Sequence, residues 1–197
     1  MGSLCKYLRS ITIVKLTLNK EVAANLSRFR DLYKNDTRFK IAYIDSYQSD
    51  GVGWARHISL NYYTNEKYIL MVDSHTRFAV GWDEQLIEEF NKALKFSDKP
   101  ILSCYPADTD GFSPLRPNDP VGRQQEMDVD WPGVVTFRTV LYPTLYYKDP
   151  QPWYFMAAGY VFTWGKWVLE VPTDPNVYFA GEECLYSVRL VTRFLIF

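Results

Sequence analysis

The stretch Tyr68-Ile-Leu-Met-Val-Asp-Ser-His-Thr-Arg-Phe-Ala-Val-Gly-Trp-Asp83 decides the fold. Tyr68 to Val72 is an apolar run of strand character that stops at Asp73-Ser74-His75, and a helical pattern opens shortly after, at Gly81. In extended backbone alternate side chains leave on the same side, so Asp73 and His75 face one way with Ser74 opposite. A carboxylate and an imidazole converging just beyond a buried strand can share one divalent metal ion. The competing reading is a helix-capping Asp73 beside a solvated His75.

Working back from this stretch, Ile11 to Leu18 is β-branched and apolar and reads as a strand. Val22, Leu26, Phe29 and Tyr33 then recur at helical spacing behind Asn19 as a cap. Phe39 to Ile44 predicts a second strand, closed by a polar loop from Asp45 to Gly53, and Trp54 to Tyr63 predicts a helix. Strand, helix, strand, helix, strand implies right-handed crossovers, hence an α/β fold with a mostly parallel central sheet flanked by helices. The first half is Rossmann-like, and ligands of such sheets bind beyond the carboxyl ends of the strands. Asp73 and His75 fall at such an end.

Working forward, Gly81 to Leu94 is an amphipathic helix with acids in its first turn, as the helix dipole favours. Ile101 to Tyr105 predicts a strand. Residues 106 to 133 hold many Pro, Gly and Asp and predict a long loop or lid. Val134 to Tyr142 returns to strand character, Pro143 to Pro152 is another loop, and Phe155 to Thr163 is small and apolar. Gly181 to Arg193 is a last helix opening on two acids. With no internal repeat, low-complexity tract or linker, residues 1–197 form one expected domain.

Composition limits the function classes. Hydrophobic residues at 47% and charged residues at 23% belong to a folded chain rather than a disordered one. The aromatic share of 17% suits a carbohydrate-stacking surface, but the plainer reading is a large core with surface tyrosines. A formal net charge of −1 offers no broad basic field to nucleic acid or to an anionic membrane. Cys5, Cys104 and Cys184 lie far apart and form no metal-type pair, which fits a reducing compartment, and with it a cytoplasmic location, or simply buried thiols. No apolar run approaches the roughly 20 residues of a transmembrane segment. Lys6, Arg9 and Lys15 interrupt any signal-peptide core, and Lys6 also breaks the myristoylation pattern. The sequons at Asn25 and Asn35 matter only on the secretory route.

Three further segments are candidates for chemistry. In Gly51-Val-Gly-Trp-Ala-Arg-His57, two glycines before a helix let the backbone approach a ligand, and Arg56 can pair with a diphosphate. The plainer reading is a loop-to-helix junction whose glycines serve geometry, with His57 a packed or surface residue rather than a ligand. In Gly181-Glu182-Glu183 the acids either complement the helix dipole or supply a carboxylate to a sugar or acceptor hydroxyl. In Phe155-Met-Ala-Ala-Gly-Tyr160, small residues either leave room for a sugar ring under Trp153 or Trp164 or pack a strand tightly.

Taken in order, Gly53-Trp-Ala-Arg-His57, Asp73-Ser-His-Thr-Arg-Phe78, Gly81-Trp-Asp83, Ala157-Ala-Gly159 and Gly181-Glu-Glu183 with Arg189-Leu190 carry a family resemblance. The set resembles the polypeptide N-acetylglucosaminyltransferases that include the hydroxyproline- and mucin-modifying enzymes of protists. More distantly it is similar to the polypeptide N-acetylgalactosaminyltransferases, which also use an Asp-Ser-His motif followed by Gly-Trp. The resemblance covers roughly residues 39 to 193. It implies a single GT-A glycosyltransferase domain that moves an N-acetylhexosamine from a UDP-sugar to a protein hydroxyl, with retention; the alternatives are a non-catalytic sugar-nucleotide- or protein-binding module derived from that family and a GT-A enzyme with a glycan acceptor.

It further implies Asp73 and His75 as ligands of Mn²⁺ or Mg²⁺. Arg56, Trp54 and Gly159 would lie near the nucleotide sugar together with Asp73, and Glu182 or Glu183 would act at the donor sugar or acceptor. Two departures stand out. The Ser-Tyr/Phe-Arg-Asp motif expected at the end of a first strand is absent from residues 1 to 38, and no histidine follows His75 to serve as a third ligand. Phe194 to Phe197 would make an exposed apolar edge unless buried or paired.

Overall fold

The computed structural model describes residues 11–17, 28, 30–73, 76–104, 120–130, 134–143, 149–179 and 181–197. Strand β1 (Ile11–Thr17) pairs in parallel with β2 (Phe39–Asp45), from Ile11 opposite Phe39 to Thr17 opposite Asp45. A parallel pair needs a crossover. Most of the helix expected from Asn19 to Tyr33, including Val22, Leu26 and Phe29, lies outside the described residues. Residues 30–33 are helical, and the Tyr33 ring stacks on Phe39 with centroids 4.2 Å apart.

A short 3₁₀ turn (Ser46–Gln48) leads to α1 (Val52–Leu60), β3 (Tyr68–Val72), α2 (Trp82–Ala93) and β4 (Pro100–Ser103). Then come β5 (Pro120–Asp130), β6 (Val134–Pro143), β7 (Tyr160–Trp164), α3 (Trp167–Glu170), α4 (Glu182–Val191) and β8 (Leu195–Ile196). Four strands form one sheet in the order β3-β7-β4-β8.

The sequence predicts a mostly parallel central sheet, and this four-stranded sheet is mixed. Strand β7 runs antiparallel to β3 (Tyr68 opposite Trp164, Val72 opposite Tyr160) and to β4 (Leu102 opposite Phe162), while β8 runs parallel to β4. Being antiparallel to the same neighbour, β3 and β4 share a direction, as the intervening α2 requires. What periodicity does not reveal is the late return of β7 between them. Val161, Phe162 and Thr163 are all buried, which suits a central strand covered on both faces.

A second difference concerns residues 106–133, expected as loop. They contain the whole of β5, which pairs with β6 from Pro120 opposite Pro143 to Asp130 opposite Val134. Arg123, Gln124, Gln125 and Glu126 give this strand no apolar alternation; its partner β6 supplies the reason for it to be extended.

Successive residues of the sheet feed two cores. Met71, Ile101 and Val161 pack with Trp167 and Val168 of α3 and with Tyr186 and Leu190 of α4. Their neighbours Leu70, Leu102 and Phe162 pack on the other side with Leu86, Phe90 and Ala93 of α2. This alternation sets helices on both faces of the sheet. Phe90 is fully buried and meets Tyr68, Phe162 and Trp164 edge-on, at centroid distances of 5.5, 5.2 and 5.0 Å.

The apolar end of the chain is part of the sheet rather than an exposed edge. Phe194, Ile196 and Phe197 are buried, the Phe197 N–H donates to the Ile101 carbonyl at 2.7 Å, and the Trp153 N–H donates to the Ile196 carbonyl at 2.7 Å. Among the described residues no helix is long and apolar enough to cross a membrane.

Candidate functional site

Asp73 stands one residue past β3, where the strand stops pairing and the backbone turns; the Thr76 N–H donates to the Asp73 carbonyl at 3.1 Å. Because β7 is antiparallel to β3 and Val72 pairs with Tyr160, Gly159 lies directly across from Asp73. The Asp73 N–H donates to the Gly159 carbonyl at 3.1 Å. The carboxylate fills the space beside Gly159: a Cβ there would meet Oδ2 in hard overlap and Cγ at 3.0 Å. A glycine at this position lets the acid turn back over the sheet end.

The segment before β7 is tied down from two elements. The Ala157 N–H donates to Ser103 Oγ of β4 at 2.8 Å, and the Met156 N–H donates to Ser187 Oγ of α4 at 3.0 Å. The Ala158 N–H donates to Glu183 Oε1 at 2.8 Å. Met156, Ala157 and Ala158 are buried, so the small residues here pack the core. Trp164, one of the two rings weighed as a sugar platform, stacks on Tyr68 at the opposite end of β7, with its Nε1–H donated to the Asp98 carbonyl. Burial pushes the Tyr160 hydroxyl above the usual phenol range and keeps it protonated.

Arg56 projects from α1 into this corner. Its Nη1 is ion-paired with Glu182 Oε1 at the first turn of α4, and its Nη2 lies 3.5 Å from Asp73 Oδ1. The three side chains differ in access to water: Glu182 is 4% exposed, Arg56 13% and Asp73 40%. The pair is therefore sheltered, and Asp73 is the member of the trio open to a ligand. One turn on from Glu182, Tyr186 is buried, with no hydrogen-bond partner for its hydroxyl among the described residues. Burial first, and then the Glu182 charge, hold that phenol above its ordinary value, so a neutral hydroxyl lies near the ion pair.

Gly51 and Gly53, at the start of α1, pack against the protein's own backbone. The Val52 N–H donates to the Tyr178 carbonyl at 2.7 Å and the Gly53 N–H to the Val177 carbonyl at 3.2 Å. A Cβ on Gly53 would lie 2.7 Å from the Asp174 carbonyl oxygen, so the close approach they permit is that of residues 174–178, not of an anion. His57 is packed as the plainer reading has it, its Nδ1 3.2 Å from the Thr173 carbonyl oxygen. Trp54 is half-buried two positions before Arg56, which puts it on a different side of α1 from the arginine.

The structure thus brings together Asp73, Gly159, Arg56, Glu182 and Glu183 from four separate segments. Ser74 and His75 lie outside the described residues. Ser103 and Ser187, which hold the Met156–Ala157 backbone, escape sequence reasoning, since a lone serine in a strand or helix carries no signal. Among the described residues no group of three His, Cys, Asp or Glu is placed to enclose a metal ion. A strand-end carboxylate that is 40% exposed is an oxygen donor of the kind a divalent ion at a diphosphate takes.

A family model described as Glycosyltransferase (GlcNAc) matches residues 14–194. The match starts within β1, at residue 14, and so begins well before residue 39, where the motif resemblance starts. No curated protein matches the chain. Among solved structures, the crystal structure of GalNAc-T7 with UDP, GalNAc and Mn²⁺ superposes with a TM-score of 0.63 at 18% identity over 96% of this chain. The present chain spans 36% of that protein's length. At this identity the likeness concerns the fold: a mixed α/β arrangement of GT-A type.

Proposed function

The chain belongs to the Glycosyltransferase (GlcNAc) family, and from that premise we propose that it transfers an N-acetylhexosamine from a UDP-sugar to a protein hydroxyl, with retention. The observation that carries the reading is the corner where Asp73, at a strand end and open to solvent, meets Arg56 across from Gly159. The solved neighbour holds UDP, GalNAc and Mn²⁺, which supports the same ligand classes here.

In this reading Asp73, with His75, would hold a divalent ion whose chemistry is to neutralise the diphosphate as the sugar leaves. Arg56 presents fixed N–H donors on a charged plane and suits the diphosphate oxygens or the carboxylate that faces them. Gly159 gives the Asp73 carboxylate its seat at the sheet end, beside which the donor sugar would lie. The glycan-acceptor version of the reading keeps the same donor site and differs in what approaches it.

The direct trial is Mn²⁺-dependent UDP release from a panel of UDP-sugars. Turnover is expected with an N-acetylhexosamine donor, and NMR of the product should show the donor's anomeric configuration. No UDP release and no donor binding by folded protein would overturn the proposal.

A further inference from the structure

Glu182 and Glu183 are the acids expected to act on sugar or acceptor, yet the protein engages both carboxylates. Glu182 is buried and bound to Arg56 Nη1. The other terminal nitrogen of the same guanidinium lies 3.5 Å from Asp73 Oδ1, so one cation spans two carboxylates. Glu183 Oε1 accepts the Ala158 N–H, next to the Gly159 carbonyl that accepts the Asp73 N–H. The Gly159 Cα in turn is the surface on which the Asp73 carboxylate rests. One flank of Asp73 is therefore set through Arg56 and the other through the 158–159 backbone, and both are set from the first turn of α4.

Resting on the donor-site reading above, we infer that Glu182 and Glu183 are positioning residues that seat Asp73, Glu182 through Arg56 and Glu183 through the Ala158–Gly159 backbone. The electrostatics give Glu182 a definite task. A guanidinium largely withdrawn from water needs a countercharge. With Glu182 in place, Arg56 is neutralised from below and Asp73 stays open to a ligand. Without that charge the guanidinium turns its whole attraction on Asp73, which is then drawn into a closed pair and competes with the ligands it should bind. An acid that touched the sugar or acceptor would behave otherwise: its neutral isostere would bind the nucleotide normally and fail in turnover.

Two measurements test this. In thermal unfolding, Glu182→Gln and Asp73→Asn are combined with Arg56 present and with Arg56→Met. The two substitutions should be non-additive in the first background and additive in the second. If Arg56→Met does not fold, Arg56→Lys, which keeps the charge but loses the fork, replaces it and should reduce the coupling. In calorimetry with UDP and Mn²⁺, Glu182→Gln should weaken binding about tenfold to a hundredfold, the range for loss of a residue that orients a metal ligand. Glu182→Asp should restore part of it.

Additive unfolding effects with Arg56 present overturn the inference. So does unchanged UDP affinity with lost turnover, which would return Glu182 to direct catalysis. A wild-type protein that shows the unfolding coupling but takes up no UDP supports the contact network and overturns the donor-site reading alone.

Discussion

The Asp73 carboxylate occupies the place a side chain at Gly159 would take, with Cγ 3.0 Å from where a Cβ would stand and Oδ2 nearer still. Gly159→Ala therefore cannot be absorbed without moving the acid off the sheet end. The expected outcome is a stability loss at the low end of the about 1–3 kcal/mol for overpacking a tight site, because the contact is the far end of a side chain that can rotate toward solvent. Mn²⁺-dependent UDP binding should fall with it. Thermal unfolding and calorimetry on the same sample check both parts; a variant that loses stability but keeps full affinity would show that Asp73 is not the ligand-facing acid.

Asp73 itself gives a simpler prediction. It is the open member of the Asp73–Arg56–Glu182 trio, so removing it should abolish the metal response and leave the sheltered ion pair standing. Asp73→Ala is expected to release UDP at a background rate that no longer responds to Mn²⁺, with a Tm close to that of the unmodified protein. Metal titration of initial rates measures this directly.

Residues 174–178 lean on the N-terminus of α1, the helix that carries Arg56. The Gly53 Cβ position is 2.7 Å from the Asp174 carbonyl oxygen, and the Val52 N–H is bound by Tyr178. Gly53→Ala must push that segment away, again at about 1–3 kcal/mol. Limited proteolysis should then cut near Tyr178 and Phe179, already exposed at 70% and 73%, faster than in the unmodified protein.

Much of this arrangement is written locally and some of it is not. Tyr68 to Val72, Gly81 to Leu94 and Gly181 to Arg193 announce their elements because each buries an apolar set at its own period, and Asp73 falls at a strand end for the same reason. Strand β5 is silent because Arg123 to Glu126 lack an apolar face and are extended by pairing with β6. The insertion of β7 between β3 and β4 is a decision made across some 60 to 90 residues, which no local pattern records. At the site, Arg56 and Glu182 are each conspicuous as charged residues near helix starts. Their pairing, and with it the difference between an acid that acts and an acid that holds, exists only once α1 and α4 have packed.

Cys184 offers a probe of Glu183. Burial, and then the Glu183 charge, push its thiol above the ordinary value. A raised pKa leaves less thiolate at a given pH, so alkylation by iodoacetamide at pH 8 should be slower than for a free cysteine, whose pKa is about 8.5. Glu183→Gln removes the second cause; the pKa should fall and the rate at pH 8 should rise. The rate–pH profile is read in a Cys5→Ser, Cys104→Ser background.

The two cores divide stability from chemistry in a way that can be measured. Phe90 is fully buried on the α2 side of the sheet, among Tyr68, Phe162 and Trp164, whereas Arg56, Glu182 and Gly159 gather at the sheet end served by α1 and α4. Phe90→Ala opens a cavity in that aromatic cluster and should cost about 3–5 kcal/mol. Well below the lowered Tm, the folded fraction keeps its corner, so UDP affinity per folded molecule should not change. Combined with Glu182→Gln, the two stability losses should add to within about 0.3–0.5 kcal/mol, as expected for sites with no shared partner. A larger coupling would mean that the α2 core and the α4 terminus move together, and that the donor corner depends on packing across the sheet.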